Sequence, residues 1–193
     1  MAQIVLSDAT PLIYLAQIPD GLSWLEELFG HVVMTPAVRK DVLPGQGKPG
    51  EREIHNAVRR GILRVLEHDW PSPRFPWLDE GEESTIRAAV NLAEQGHHCL
   101  VIIDEKDGRA VVEELASAAI TVSGTAAVVG RAKELGLIPS AFAVFEELRQ
   151  RGFYISDDVV RRILEKVGEA AAQAPAVAAK APLPKAPKAR RKR

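Results

Sequence analysis

Short apolar segments recur along this chain, and each is followed by a segment with the periodicity of a helix. The clearest apolar segments are residues 3–7, 31–34, 100–103 and 119–122, with another at 62–66. Strands separated by helices pair in parallel, because the chain crosses back to the same end of the sheet before each new strand. The pattern therefore predicts an α/β fold in three layers, with a central parallel sheet flanked by helices.

Caps, prolines and glycines mark the predicted helices. Pro11 and Pro36 each open a helix, since proline is well tolerated in the first helical turn. Asp8 or Thr10 is expected to cap the first of these helices. Gly30, Gly96 and Gly136 mark helix ends. The predicted helices begin near residues 11, 24, 36, 51, 79, 107, 125, 140 and 156.

The composition changes near residue 169. Residues 1–168 read as one domain, with two C-terminal helices in 140–168. Residues 169–193 are rich in alanine, proline, lysine and arginine without periodicity, which predicts a disordered basic tail. From Lys180 onward there are seven basic residues and no acidic one, so all 26 acidic residues precede it. The predicted domain is therefore acidic and the tail basic.

Several protein classes do not fit the sequence. The longest apolar runs are far too short to span a bilayer, so no membrane association is expected. The first residues lack the basic region of a secretory signal peptide. The single cysteine, Cys99, cannot form an internal disulfide and lies at the start of a predicted strand, which fits a core residue of a cytoplasmic protein.

Carboxylates lie where a parallel sheet would gather them. Asp8 and Asp104 follow predicted strands, Glu82 lies in the first turn of a helix, and Asp41 lies on the helix after 31–34. Ligands of open α/β sheets bind beyond the carboxyl ends of the strands. Helix capping explains any one of these residues, but four together would repel one another without cations. Oxygen ligands without a histidine or cysteine cluster favour Mg²⁺ or Mn²⁺. This convergence depends on the predicted topology.

Several motifs resemble those of PIN-domain proteins in order and spacing. They are Ser7-Asp8-Ala9-Thr10-Pro11-Leu12-Ile13, Thr35-Pro36-Ala37-Val38 with Asp41, and Asp79-Glu80-Gly81-Glu82. Later matches at Ile103-Asp104-Glu105, Gly124-Thr125, Ala132-Lys133 and Gly136-Leu137-Ile138 resemble a prokaryotic branch related to VapC-type toxin ribonucleases. The resemblance covers about residues 3–165. It implies a PIN-like fold and an endoribonuclease that depends on Mg²⁺ or Mn²⁺.

The resemblance also implies roles for single residues. The predicted catalytic residues are Asp8, Asp41, Glu82 and Asp104, of which Asp8, Glu82 and Asp104 would bind metal. Thr10 would place a hydroxyl beside the metal. Glu80 and Glu83 compete with Glu82 for the third acidic position, and Glu105 and Asp107 compete in the same way with Asp104. Aspartate stands at position 41, where glutamate is more usual.

The implied partners are RNA, an antitoxin protein that would insert a basic side chain among the carboxylates, and a second copy of the chain in a homodimer. One alternative is a catalytically degenerate RNA- or protein-binding module, which the aspartate at position 41 favours. Another is a phosphoacceptor of the response-regulator type. No lysine follows Val122 in the last predicted strand, which disfavours the phosphoacceptor.

Other features admit simpler interpretations. Trp24 reads as core, whereas Trp70 and Trp77 lie in a proline-rich loop and predict a packed lid or a partner surface. His97 and His98 are expected to be solvated, and Ser123-Gly124-Thr125 to be a turn that caps a helix. The tail either attracts RNA through its charge or keeps the protein soluble. Its candidate nucleic-acid-binding residues are Lys185, Lys188, Arg190, Arg191, Lys192 and Arg193.

Overall fold

The computed structural model describes residues 3–68, 70, 73–115 and 117–169, and the predicted basic tail lies outside these residues apart from Glu169. Within the described chain, five parallel strands form one sheet in the order β3-β2-β1-β4-β5. The predicted α/β sandwich with a parallel sheet is confirmed. The strands are β1 (Ile4–Ser7), β2 (Val32–Met34), β3 (Leu63–Val65), β4 (Cys99–Ile102) and β5 (Ile120–Ser123).

The helices lie on both faces of the sheet and connect the strands. Their bounds are α1 (Ala9–Ala16), α2 (Gly21–Phe29), α3 (Pro36–Val42), α4 (Glu51–Arg60), α5 (Glu80–Glu94), α6 (Lys106–Glu114), α7 (Thr125–Glu134), α8 (Ala141–Gln150) and α9 (Asp157–Lys166). None of these described helices is long and apolar enough to cross a membrane.

The strand order reverses beside β1, and this reversal locates the site. From β1 the chain adds β2 and β3 on one side, then returns to add β4 and β5 on the other. Ser7 at the end of β1 is in register with Ile102 at the end of β4. The helices after these two strands start at the same edge but diverge, which opens a crevice there. The residues after Ser7 and Ile102 therefore border this crevice.

Two hydrophobic cores, one on each face, hold the sheet. Successive side chains of a strand point to opposite faces, so Val5 belongs to the core with Leu12, Trp24 and Phe145, while Leu6 belongs to a second core. The second core contains residues of α5 and α6, among them Ile86 and Val111. Both helices of this layer begin at the carboxyl edge of the sheet. Their first turns therefore lie beside the end of β1.

Several element ends differ from prediction; helix α2, for example, begins at Gly21, three residues before the expected start near residue 24. Helix α1 begins at Ala9, two residues before Pro11, because a proline in the first turn forfeits no helical hydrogen bond. Strand β4 runs one residue earlier than expected, so Ile103 separates it from Asp104. Glu169, assigned to the tail, instead accepts hydrogen bonds from the N–H groups of Ala141 and Phe142, both at 2.9 Å.

Other side chains lie as the sequence predicted. Trp24 and Cys99 are buried, and His97 and His98 are exposed. Trp70 packs partly buried against the second core, whereas Trp77 is 70% exposed. The proline-rich loop therefore covers the core with one tryptophan and presents the other to solvent.

Candidate metal centre

Asp8 places a carboxylate at the reversal of strand order. Its backbone is extended (φ −71°, ψ 170°), and its N–H donates to the Ile102 carbonyl at 3.0 Å, continuing the pairing of β1 with β4. The N–H groups of Ala9 and Thr10 face the carboxylate and lower its pKa. No side-chain capping hydrogen bond of ordinary geometry forms, although Asp8 stands before α1. Asp8 therefore occupies the N-cap position of α1, but capping is at most a weak part of the role of its carboxylate.

Three other carboxylates form a compact group beside it. One oxygen each from Asp79, Glu82 and Glu105 lie within 4.8 Å of one another. Asp79 precedes α5 and accepts a hydrogen bond from the Glu82 N–H at 3.0 Å. Glu105 precedes α6, and the Thr10 hydroxyl lies 3.5 Å from its Oε1. The starts of α5 and α6 therefore bring these three acids together, beside Thr10 of α1.

Gly81 lies among further carboxylates. A Cβ built on Gly81 would be 2.9 Å from Asp8 Oδ1, 3.4 Å from Asp41 Oδ2 and 3.6 Å from Asp79 Oδ1. The structure thus brings Asp41 of α3 to the same edge as Asp8 and Asp79. We call Asp8, Asp41, Asp79, Glu82 and Glu105 the acidic cluster. A side chain at position 81 would occupy the space between its members.

Glu82 is the most deeply placed acid of the α5 start. It is 3% exposed, and its Oε1 has no hydrogen-bond partner among the described residues. Burial, followed by the charges of Asp79, Glu105 and Asp8, raises the Glu82 pKa to about 7. The Gly108 N–H opposes this increase, but a buried carboxylate oxygen without a hydrogen bond is costly when ionised. The acid therefore needs either a proton or a cation at this position.

Other members of the acidic cluster are shifted in the same direction. Burial, with a contribution from Asp79, raises the Asp8 pKa to about 6 despite the opposing Ala9 and Thr10 amides. Burial and the charge of Glu80 raise the Asp41 pKa, and burial and the charge of Asp79 raise the Glu105 pKa. Acids held close together titrate at higher pH because each charge disfavours the next. The acidic cluster is therefore short of positive charge.

This donor set fits a hard divalent cation. The oxygens of Asp79, Glu82 and Glu105 are close enough to share one ion, and the unpartnered Glu82 oxygen belongs to the group. Mg²⁺ and Mn²⁺ prefer carboxylate ligands, whereas histidine and cysteine are absent from this group. A bound cation would satisfy the Glu82 oxygen and lower the repulsion among its neighbours.

Asp104 is held by the start of α7. The Thr125 N–H donates to Asp104 Oδ1 at 2.7 Å, and the Thr125 hydroxyl donates to Oδ2 at 2.5 Å. Burial raises the Asp104 pKa, while these two hydrogen bonds and the Arg109 charge oppose the increase. Gly124 allows the approach, because a Cβ there would be 2.7 Å from Asp104 Oδ1. Both Asp104 oxygens therefore already have donors.

The remaining predicted site residues separate into two groups. Thr10 contacts Glu105, and Asp107 is exposed in the first turn of α6, where its charge acts on Glu105. Glu83 faces another direction: it forms a buried ion pair with Arg87 at 3.2 Å and accepts the Arg74 N–H at 2.8 Å. Of the two adjacent glutamates, Glu82 therefore joins the acidic cluster and Glu83 anchors the loop before α5.

Sequence reasoning missed Asp79 and Gly81 as site residues. Both lie in the motif Asp79-Glu80-Gly81-Glu82, but Asp79 reads as an ordinary helix cap in sequence. It does cap α5, and its carboxylate also joins the Asp79–Glu82–Glu105 group. The signal that could have identified Gly81 was a glycine in the first turn of a helix. Glycine destabilises a helix, so its presence there indicates a position without room for a side chain.

Comparison with known proteins agrees with this geometry. The family model DUF3368, whose description is PIN domain, matches residues 4–169, nearly the whole described chain. No curated protein matches the sequence. PIN domains are generally nucleases and typically use divalent metals. With its parallel sheet and acidic cluster, this chain belongs to the PIN-domain family and has a nuclease-type fold.

Proposed function

We propose that this protein is an endoribonuclease that depends on Mg²⁺ or Mn²⁺. The observation that carries the proposal is the buried, unpartnered Glu82 oxygen within a group of carboxylates at the carboxyl edge of the sheet. An arrangement that raises acid pKa values at a crevice marks a functional site better than a structural one. Membership of the PIN-domain family favours a nuclease.

The proposed metal ligands are Asp8, Asp79, Glu82 and Glu105, with Asp41 at the border and Asp104 as a further acid. When bound, a divalent ion supplies Lewis-acid stabilisation of the charge that develops on a phosphodiester during in-line cleavage. The acidic cluster supplies the negative charge that holds such ions. Asp104 had been predicted as a direct ligand, and its bonds to Thr125 support a role in fixing the edge of the site.

Neighbouring groups fix the positions of the acids. Thr10 lies against Glu105, and Thr125 holds both oxygens of Asp104. Gly81 of α5 leaves room for the Asp8 carboxylate, and Gly108 of α6 leaves room for the Glu82 carboxylate. Held in this way, the carboxylates keep their geometry without reorganisation when a substrate phosphate arrives.

A cleavage assay on mixed structured RNAs tests the proposal. Wild type and Asp8→Asn are compared with Mn²⁺, with Mg²⁺ and with a chelator. Glu113→Gln is the matched control, because it also removes one negative charge but lies exposed near the C-terminal end of α6. We expect cleavage that needs metal, survives Glu113→Gln and falls at least about 100-fold in Asp8→Asn. Equal cleavage by Asp8→Asn would refute the proposed site.

A binding module without catalysis is the second candidate. The two hydrogen bonds from Thr125 to Asp104 favour it, because they occupy the oxygens of an acid predicted to bind metal. Calorimetry distinguishes the candidates. Mn²⁺ binding without cleavage of any RNA would favour the binding module, whereas binding with cleavage that requires Asp8 would favour the nuclease.

The toxin of a toxin–antitoxin pair is the narrower form of the nuclease proposal. The resemblance of the motifs to VapC-type ribonucleases supports it, and such a protein would act in the cytoplasm. Induced expression in bacteria tests it: wild type should arrest growth, and Asp8→Asn should not. Normal growth with soluble, metal-binding protein would count against a toxin.

A further inference from the structure

Two aromatic rings face solvent near the acidic cluster. Among the described residues, the largely exposed phenylalanine, tyrosine and tryptophan side chains are Trp77 at 70% and Tyr154 at 84%. Exposed rings forgo the hydrophobic stabilisation that burial gives. The exposure of these two rings is therefore not explained by the stability of the fold.

Tyr154 reaches the acidic cluster through α1. The ring of the preceding residue, Phe153, stacks on Tyr14 with a centroid distance of 4.0 Å. Tyr14 lies one helical turn after Thr10, so both residues occupy the same face of α1. The Thr10 hydroxyl lies 3.5 Å from Glu105 Oε1. This series of contacts places the Tyr154 segment at the border of the acidic cluster.

The electrostatics of Tyr14 give the same position independently. Burial raises its pKa, and the charges of Asp104 and Glu105 raise it further, which requires both acids to be close. The backbone N–H of Tyr154 faces the Tyr14 hydroxyl and opposes this increase. Tyr14 therefore lies within electrostatic range of both acids and beside the backbone of Tyr154.

Trp77 lies close to the acidic cluster in sequence, in another segment of the chain. It precedes Asp79 by two residues, in the loop that leads into α5. Its ring meets the Phe75 ring edge-on at 5.8 Å and 82°, and Phe75 packs against the second core. The indole is therefore supported at its edge and remains exposed beside the α5 start.

We propose that Tyr154 and Trp77 stack on nucleobases of a single-stranded RNA whose phosphate lies at the acidic cluster. This inference rests on the proposed nuclease function. Aromatic faces stack on any base, which suits a strand that passes over a site of phosphodiester cleavage. Charged residues flank each ring in the sequence, with Asp79 and Glu80 after Trp77 and Arg151 and Asp157 on either side of Tyr154. A stable protein interface would need a larger continuous apolar surface.

The test measures binding separately from cleavage. All variants are made in an Asp8→Asn background, and anisotropy reports binding of a short, fluorescein-labelled, single-stranded RNA in Mg²⁺. Stacking contributes about 1–3 kcal/mol per base, so Tyr154→Ala should weaken binding about 5- to 150-fold. Trp77→Ala should do the same, and Tyr154→Phe should keep the affinity because it keeps the ring. The control is Leu135→Ala, 47% exposed at the end of α7 opposite Thr125.

RNAs with one abasic position complete the test. Removing the stacked base should weaken RNA binding by the protein that retains Tyr154 but should not change RNA binding by Tyr154→Ala. Duplex RNA should bind all variants with equal affinity. If Tyr154→Ala and Trp77→Ala bind RNA as tightly as the control while the wild type shows metal-dependent cleavage, the stacking inference is wrong. The nuclease proposal would then still stand. A wild-type protein that neither cleaves nor binds RNA in Mg²⁺ would overturn the proposed function and this inference with it.

Discussion

The Glu82 carboxylate lies directly against Gly108, so that a methyl group built on Gly108 would be 2.6 Å from Glu82 Oε1. Glu82 belongs to the first turn of α5 and Gly108 to the first turn of α6. The close approach of two helix starts therefore sets the position of the buried acid. Any side chain larger than glycine at position 108 would displace it.

Replacing Gly108 with alanine should disrupt the metal centre. The new methyl group would push the Glu82 carboxylate out of the group formed with Asp79 and Glu105. Changes that misplace ligands cost about 10- to 100-fold in metal affinity, and we expect a loss of that size in Mn²⁺ calorimetry. Gly130→Ala is the control, because its methyl would meet the Ile163 side chain instead of a carboxylate. A wild-type affinity in Gly108→Ala would contradict the assignment of Glu82.

Two adjacent glutamates should respond oppositely to loss of charge. Glu82→Gln removes the repulsion of a buried charge, so the metal-free protein should melt higher at neutral pH while Mn²⁺ no longer stabilises it. Glu83→Gln removes the negative charge from the buried ion pair with Arg87, which should cost about 3 kcal/mol and lower the melting temperature by roughly 6–12 °C. Melting curves with and without Mn²⁺ measure both effects. The same response in both variants would show that the structure orients these residues wrongly.

The stability of the metal-free protein should fall as pH rises. The Asp8 and Glu82 pKa values are about 6 and about 7 in the folded protein, against 3.8 and 4.5 as ordinary values. Between these limits the folded state binds more protons than the unfolded state, so each unit of pH lowers the free energy of unfolding. We expect the melting temperature in chelator to decrease from about pH 5 to about pH 8.

Manganese should reverse this trend, because it competes with the same protons. Its stabilisation should be small near pH 5 and large near pH 8, when both carboxylates are ionised. Glu82→Gln should lose the part of the pH dependence above about pH 6. A chelated protein whose melting temperature rises over this range would contradict the raised pKa values.

Glu169 should stabilise the start of α8. Its carboxylate accepts the Ala141 and Phe142 N–H groups and the Ser140 hydroxyl, and Lys133 lies 3.2 Å from it. These hydrogen bonds outweigh desolvation and lower the Glu169 pKa to about 2. Its contribution is therefore present above about pH 4.5 and lost as pH falls toward about pH 2.

Replacing Glu169 with alanine should cost about 1–2 kcal/mol, or roughly 2–8 °C in melting temperature at neutral pH. The control is Glu165→Ala, because Glu165 is exposed on α9 and pairs with Arg161 at the surface, where ion pairs contribute little. Equal melting temperatures for the two variants would place Glu169 outside the fold.

Deleting residues 170–193 should weaken RNA binding. The deleted segment contains seven basic residues, of which Lys180 is the first, and no acidic residue. Lys and Arg neutralise phosphates and release counterions, so binding should weaken and its dependence on salt should flatten. Anisotropy over a salt series measures both effects. Unchanged affinity and slope would favour a role in solubility alone.

Local sequence patterns predicted most helices and strands of the domain within a few residues. Local periodicity, caps and glycine stops were sufficient to predict the helix at 51–60 and the strand that precedes Asp8. The start of α1 was missed because Pro11 marks a first turn without fixing which residue begins it. The end of β4 was missed because Ile103 is as apolar as the strand residues before it.

The acidic cluster could be anticipated only in part. Asp8, Asp41 and Glu82 were indicated by their positions after strands and in first turns, and the structure brings them to one edge. The distinction between Glu82 and Glu83 depends on how α5 is rotated against α6 and the preceding loop. Local periodicity cannot give this rotation, because both residues lie in the same turn of a helix that is buried on several sides.

The α/β class, the parallel pairing and the acids after strands and in first turns follow from local periodicity and charge, so the sequence alone indicates them. Three further relationships arise only in the folded chain: Asp79 joins Glu82 and Glu105, Glu83 pairs with Arg87, and Thr125 holds Asp104. These choices depend on distances of a few ångströms between helices far apart in the chain. Packing of the two cores sets those distances, and no single segment encodes them.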